Sequence, residues 1–407
     1  MKVIKTSSQE WNKIINRNLV TSDHLRERVK KIIGDVRIYG DDAITKYTKK
    51  FDKVKILSKN LKVSQNEISA AYNSIDPNFV STLKIIIENV TKFYRKQIKH
   101  PWKMKDSDGI VLGEIFNPLD KVGIYIPSGT APLFSTVYMT VLPAQIAGVK
   151  RIILTTPPGK DGFVNPYILV VSDLLKVNEI YKVGGAQSIA ALAFGTKTIP
   201  KVDKIFGPGN RFVTEAKRQL FGYCDIDMLA GPSEVVVIAN NFSPQNFVLA
   251  DLFSQAEHAG GLAVLITTSK SLIKHLKGKI DSGYAIFAKN LDEAIKIAND
   301  IAPEHLQILI KTIPSSLIKK VKNAGAIFLG PYSPVCIGDY IAGPSHVLPT
   351  GGTARFFSAL NIQDFMKSSH IISYSKKALE KIREPLEKLA CIEGLPKHLQ
   401  SVKERFL

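Results

Sequence analysis

Val122-Gly-Ile-Tyr-Ile-Pro127, a helix-like run at 135–148 and Arg151-Ile-Ile-Leu-Thr-Thr156 decide the fold class. Each short apolar run, bounded by proline, glycine or charge, reads as a buried strand. Working outward, Glu179-Ile-Tyr-Lys-Val183 and Lys204-Ile-Phe206 are further strands, with helices predicted at 165–175 and 188–194. Strand, helix and strand in alternation predict a parallel α/β sheet. A second set follows. Its strands are predicted at 234–239, 263–267, 285–287, 306–310 and 326–328, and its helices at 244–258, 269–276, 290–301 and 315–321. Two similar halves suggest an internal duplication, although no residue pattern repeats.

The flanks differ in texture. Residues 1–110 are rich in Lys, Asn, Ser and Glu with helical periodicity. Ser22-Asp23 can cap a helix at 25–39, Gly40 stops it, and 79–94 is a second amphipathic helix. This part reads as a helical N-terminal arm. The tail from about 376 is helical, charged and too small to fold alone, so it must dock on something. The expected divisions are 1–110 for the arm, 111–233 and 234–372 for the two α/β domains, and 373–407 for the tail.

Bulk properties narrow the class. A chain of 407 residues exceeds one ordinary core. Hydrophobic content of 45% with 22% charged residues belongs to a globular protein. No run approaches the roughly 18 apolar residues of a membrane span, and Met1-Lys-Val-Ile-Lys-Thr-Ser-Ser8 has no signal-peptide core. Cys224, Cys336 and Cys391 form no CxxC pair, and so sparse a set suggests a reducing compartment. The expected location is cytoplasmic, with no membrane partner.

The formal charge of +19 raises a polyanion partner as a possibility. The densest basic stretch is Lys92-Phe-Tyr-Arg-Lys-Gln-Ile-Lys-His-Pro-Trp-Lys-Met-Lys105. The plainer reading is a solvated lysine surface with aromatics anchoring a helix. Lysines are spread along the chain and no nucleic-acid recognition motif occurs, so no specific nucleic acid is expected.

Chemistry-bearing residues gather at a few places. Gln255 and His258, in Asp251-Leu-Phe-Ser-Gln-Ala-Glu-His258, stand three apart in a helix-like run and can grip one ion. A lone histidine there is more often an interior hydrogen-bonding group than a ligand. Glu304 and His305 are an adjacent carboxylate and imidazole suited to proton transfer, or else a short turn with a favourable acidic start. Asp339 could supply an anionic oxygen. His346 lies in a Gly/Pro-rich loop, and Glu393-Gly-Leu-Pro-Lys-His398 puts two polar groups in the tail. His24, His100, His275 and His370 have no such company and are read as structural. Gly207-Pro-Gly-Asn210, Val183-Gly-Gly-Ala-Gln-Ser188 and Gly123–Ala131 are glycine-bearing loops at strand ends. They suit an anion at a helix start or a crevice beyond strand C-termini, but none is a GxGxxG fingerprint.

Taken in order, several motifs resemble the histidinol dehydrogenase family. They are Gly-Ile-Tyr-Ile-Pro127, Val-Gly-Gly-Ala-Gln187, Phe-Gly-Pro-Gly-Asn210, Ala-Gly-Pro-Ser-Glu234, Ser-Gln-Ala-Glu-His258, Ala-Pro-Glu-His305, Gly-Asp-Tyr340 and His-Val-Leu-Pro-Thr-Gly-Gly-Thr-Ala-Arg355. The resemblance runs from about residue 20 to the end. It implies two incomplete Rossmann-like domains, small extra domains, an intertwined homodimer, one zinc ion per active site and NAD as oxidant. The implied reaction takes L-histidinol through L-histidinaldehyde to L-histidine. Carried over by position, Gln255, His258, Asp339 and His398 match zinc ligands, and Glu304 and His305 match the acid–base pair. The same four ligands, His305, Ser233, His346 and Glu393 match substrate contacts, with Glu393 and His398 given by the partner subunit. Tyr125, Gln187 and Asn210 match NAD contacts. The chain departs from the family at Ala259-Gly-Gly-Leu-Ala263, where Gly-Pro-Asp-Ser-Gln is usual, at Ser128-Gly129, where two glycines are usual, and at Ser345, where asparagine is usual. Two other readings stay open at this point: a zinc hydrolase on the same ligands, and a basic nucleic-acid-binding protein on an enzyme scaffold.

Overall fold

The strand runs seen in the sequence pair as two parallel sheets in the computed structural model, which describes residues 1–17, 22–129, 132–257, 260–280 and 283–406. In chain order the strands are β1 (Lys2–Ile4), β2 (Trp102–Lys105), β3 (Val111–Pro118), β4 (Lys121–Tyr125), β5 (Arg151–Thr156), β6 (Glu179–Lys182) and β7 (Lys204–Phe206). They continue with β8 (Asp225–Ile226), β9 (Glu234–Ala239), β10 (Leu262–Thr267), β11 (Tyr284–Phe287), β12 (His305–Leu309), β13 (Ala326–Leu329) and β14 (Met366–Ser373). The first sheet has the order β6-β5-β4-β7-β8 and the second β1-β11-β10-β9-β12-β13. All pairings in both are parallel. Leaving out β1, the two sheets share one order: third, second, first, fourth, fifth strand of the set. That shared winding is the duplication which no residue repeat disclosed. The fold is α/β with two Rossmann-like parallel sheets, a helical N-terminal region and helices at the C-terminal end.

Burial explains the strands. β9 is buried along its whole length, as a central strand covered on both faces must be. The helix Asp23–Tyr39 is capped by Ser22, whose Oγ accepts from Leu25 N at 3.3 Å. It ends at Gly40, where φ is +50° and a side chain would be strained. Leu25, Val29, Ile32 and Val36 line its inner stripe and join the core formed by the helix Gly185–Phe194 and the first sheet. Burying each of them is worth roughly 1.5–3 kcal/mol.

Several stretches differ from the sequence reading, among them the two-residue edge strand β8, which it did not include. The basic stretch 92–105 is not one anchored helix. The helix Phe79–Arg95 ends at Arg95, and Trp102–Lys105 is β2, exposed at all four positions. β2 and β14 flank β3 in a three-stranded antiparallel sheet that the sequence reading did not include. β1 is likewise a strand inside the region read as helical, added parallel to β11.

The chain divides into two compact units, Met1–Gln97 with Leu119–Phe365 and Ile98–Pro118 with Met366–Leu407. Both parallel sheets lie in the first. The second holds the antiparallel sheet and the helices Lys376–Lys381, Arg383–Ile392 and Pro396–Lys403. Within it, Ser375 Oγ donates to Asp108 O at 2.6 Å and Lys381 Nζ to Asp108 Oδ1 at 2.6 Å, so the helix Lys376–Lys381 is docked onto the β2–β3 connection. No described helix is long and apolar enough to cross a membrane.

Candidate active site

Strand register brings the candidate proton-transfer residues together. β12 pairs with β9 so that His305 faces Val235, which sets Glu304 beside Glu234 at the N-terminal edge of the sheet. Ala302, at φ +50°, ends the preceding helix Leu291–Ile301, and Pro303 turns the chain into β12. Glu304 Oε2 accepts from Ser233 Oγ at 2.8 Å and from Glu234 N–H at 2.8 Å. Glu304 is buried, and that burial raises its carboxyl to about 7, against the opposing pull of His305 and the two hydrogen bonds. His305 is buried too. Its Nδ1 lies 2.9 Å from Glu234 O, so Nδ1 carries the proton and donates to that carbonyl. In the neutral ring Nε2 is then the basic nitrogen, and it stands 3.8 Å from Asp339 Oδ1.

Asp339 and His346 extend this cluster. His346 Nδ1 is 2.9 Å from Asp339 O, and its Nε2 is 3.1 Å from Thr136 Oγ1. Burial holds the His346 imidazole below its ordinary value. Gly338, next to Asp339, permits a close approach: a Cβ there would come within 2.7 Å of the Phe328 ring. The sequence placed Ser233, Glu304, His305, Asp339 and His346 apart along the chain, and the structure brings these five together. It missed Thr136 and the backbone of Glu234, for which sequence holds no signal, since any residue has a backbone.

Gln255 is the next-to-last residue of the helix Gln245–Ala256, which stops short of the predicted 244–258. One turn earlier, Asp251 accepts from Gln307 Nε2 at 2.6 Å. Asp251 and Gln255 share a helix face, and His305 and Gln307 share a sheet face. The helix therefore turns Gln255 toward the side of β12 that carries His305. His258 lies outside the described residues, as do Thr130 and Ala131 of the first glycine-bearing loop. Glu393 and His398 belong to the second unit, at and beyond the end of the helix Arg383–Ile392, and both are exposed. His24, His100, His275 and His370, read as structural, are exposed as well.

The other candidate contacts lie at C-terminal strand ends of the first sheet. Tyr125 ends β4, is buried, and its hydroxyl accepts from Gly185 N–H at 3.5 Å. Gln187 is buried in the first turn of the helix Gly185–Phe194, with no hydrogen-bond partner for its Oε1 among the described residues. Asn210 is exposed and caps the helix Arg211–Leu220, its Oδ1 accepting from Phe212 N at 2.9 Å and Val213 N at 3.3 Å. Those two amides, which the sequence reading left open for an anion, are thus already satisfied. Gly207, at φ +103°, is the tight point of its loop: a Cβ there would fall 2.1 Å from Tyr125 O. A buried pair, Lys217 and Asp227, holds Gly207 by both backbone groups, Nζ donating to its O at 2.6 Å and Oδ2 accepting from its N–H at 2.7 Å.

The donors that can be described suit a zinc ion in kind. Gln255 is buried with Nε2 unpartnered. An amide can be turned about its last bond, so an oxygen lone pair can occupy that unfilled place. Asp339 offers a carboxylate that is 32% exposed at its side chain and within reach of solutes. Oxygen and imidazole nitrogen donors are those zinc takes. Among the described residues, no three His, Cys, Asp or Glu side chains stand together as a ready-made metal cluster.

Comparison with known proteins places these features in one family. The family model described as histidinol dehydrogenase matches residues 15–406. Histidinol dehydrogenase of Clostridium acetobutylicum is 48% identical, over 93% of this chain and 91% of that protein. That of Bacillus subtilis is 44% identical over 99% and 98%. The crystal structure of histidinol dehydrogenase from Elizabethkingia anophelis superposes with a TM-score of 0.92 at 36% identity, covering 100% of this chain and 98% of that one.

Proposed function

This chain belongs to the histidinol dehydrogenase family of oxidoreductases, and we propose that it oxidises L-histidinol through L-histidinaldehyde to L-histidine, the last step of histidine biosynthesis, with two NAD consumed. The observation that carries this reading is the Glu304–His305 pair, two buried proton-transfer groups of different kind held on one strand edge.

His305, with Nδ1–H committed to Glu234 O, presents Nε2 to take the hydroxyl proton of the alcohol. Glu304 takes a proton from the water that adds to the aldehyde, and its carboxyl near 7 fits a base working near neutral pH. Ser233, already donating to Glu304, keeps that carboxylate oriented and is the serine assigned to the substrate. His346 and Asp339 fix the far wall of the cluster. Tyr125, Gln187 and Asn210 are the groups assigned to NAD. Gln255, His258, Asp339 and His398 would hold one zinc ion, which when bound serves as a Lewis acid that orients the substrate through its imidazole and amine.

The exposed positions of Glu393 and His398 support their donation to the site of a second copy in a homodimer. Mixing inactive His258→Ala and His398→Ala chains by mild unfolding and refolding tests this. Donation in trans gives one intact site per mixed dimer and partial recovery, whereas donation within one chain gives none. The reaction itself is tested by following NADH absorbance with histidinol, with and without chelator. Metal-loaded protein that forms no NADH would refute the proposed activity.

A further inference from the structure

Glu234 holds both proton-transfer residues, and it does so through its backbone. Its N–H donates to Glu304 Oε2 at 2.8 Å and its C=O accepts from His305 Nδ1 at 2.9 Å. A backbone group positions a side chain only as well as the backbone is itself held. Here the Glu234 side chain does the holding. Its carboxylate receives both prongs of Arg17, Nε on Oε1 at 2.6 Å and Nη2 on Oε2 at 2.6 Å. Oε1 also accepts from Gly351 N–H at 2.9 Å. The remaining guanidinium nitrogen, Nη1, donates to Ile14 O at 2.7 Å and to Ile301 O at 2.9 Å. Ile301 ends the helix whose next two residues lead into Glu304. Arg17 therefore reaches the acid–base pair from two directions, through Glu234 and through the turn that enters β12.

The pair is hard to explain by stability alone. Its side chains are only 15% and 5% exposed. Buried ion pairs seldom stabilise a fold more than apolar residues of the same volume, because both charges lose their water. A planar, bidentate fork does fix geometry, which a single ammonium cannot. We infer that Arg17 and Glu234 are a positioning pair, a brace that sets Glu304 and His305 for proton transfer while its own side chains serve no proton-transfer step. The inference rests on the reading of Glu304 and His305 given above.

Arg17→Met, Glu234→Gln and the double variant, made in the zinc-loaded full chain, test it. Each single change is expected to lower kcat about 10- to 100-fold, the cost of a small misplacement of reacting groups. KM for NAD should stay within about twofold and zinc content should not change, which a general loss of folded protein would not produce. The double variant should lose no more than the worse single, because a brace is broken once. A folded Arg17→Met with kcat within about twofold of the parent, or single losses that multiply in the double, would overturn the brace. If the Met variant does not fold, Arg17→Lys decides. It keeps the charge and loses the fork, so it should restore folding without restoring kcat, and full kcat there would refute the inference. His305→Ala, run in parallel, separates the two levels. If it keeps its turnover, the acid–base reading falls; if it alone is inactive, only the brace falls.

Discussion

The two parallel sheets share one strand order and place their candidate chemistry on opposite edges. In the first, Tyr125, Gln187 and Asn210 lie at or just beyond the C-terminal ends of β4, β6 and β7. In the second, Ser233 leads into β9, which Glu234 opens, and Glu304 leads into β12, which His305 opens, at the N-terminal edge. The first edge follows the usual rule for open α/β sheets, where ligands meet glycine turns and helix starts. The second breaks it. A duplicated winding therefore fixes where strands run but not which edge does chemistry; that depends on which edge carries titratable groups. The first edge is built of glycine, amide and phenol, suited to holding a ligand. The second is built of a carboxylate and an imidazole, suited to moving protons. Lesions on the second should fall on kcat, and lesions on the first on KM for NAD.

The largest effect is expected from His305→Ala. Removing a general base costs roughly 10²–10⁴ in rate, and His305 is not among the assigned zinc ligands. Histidinol oxidation should fall by that much while bound zinc, measured by metal analysis, is unchanged. Turnover near the parent's would remove the second edge from the chemistry and erase the contrast.

Glu304→Gln should slow aldehyde oxidation more than alcohol oxidation, since only the aldehyde step needs added water. Single-turnover assays starting from each substrate read this, and equal slowing of both would defeat the division of labour. The pH dependence has a definite sign. The carboxyl titrates at about 7 in the folded chain against an ordinary 4.5, and the base works only when ionised, so the aldehyde step should fall as pH drops through about 7. Stability runs the other way. Between 4.5 and about 7 the folded chain keeps a proton that the unfolded chain has lost, so this group's contribution to stability declines as pH rises across that window. Thermal melts of metal-free protein should show Glu304→Gln gaining on the parent as pH rises from 4.5 to 7, and no further above it.

How far this contrast was legible in the sequence can be judged from particular residues. Most strands of both sheets were, because β-branched runs such as Glu234-Val-Val-Val-Ile-Ala239 have no good alternative to burial, but the short edge strands β1 and β8 were not. The Glu304–His305 pair was visible as two adjacent functional groups. The edge it occupies was not, because register is a long-range outcome. β2, Trp102-Lys-Met-Lys105, alternates apolar and charged residues for only four positions and buries none of them, so its pattern did not stand out from the basic run around it. The Arg17–Glu234 pair joins residues 217 positions apart, and nothing local marks either partner. Asn210 was legible as a loop residue but not as a cap already spent on its own helix.

On the first edge, Gly207→Ala should act on NAD with little change in kcat. Its Cβ would meet Tyr125 O at 2.1 Å, and its φ of +103° is unfavourable for alanine, a backbone strain of roughly 1–3 kcal/mol before the clash is counted. Thermal stability should drop and KM for NAD should rise, with KM for histidinol near the parent's. A selective loss of kcat instead would mean that the two edges are not functionally distinct.

The smallest effect, at Asn210, sharpens the comparison most, because the residue has two possible duties. Its Oδ1 caps the helix Arg211–Leu220, and its amide is assigned to NAD. Asn210→Ala removes both. The cap alone is worth about 1 kcal/mol, and one neutral hydrogen bond about 0.5–1.5 kcal/mol, or roughly two- to twelvefold in KM for NAD. Asn210→Ser separates them, since serine caps a helix nearly as well but has no amide to offer. If Asn210 contacts NAD, the serine variant should melt with the parent yet raise KM as much as alanine does. If KM instead follows the melting temperature through the pair of variants, Asn210 is a cap only, and the first edge then holds its ligand with Tyr125, Gln187 and the Gly207 loop.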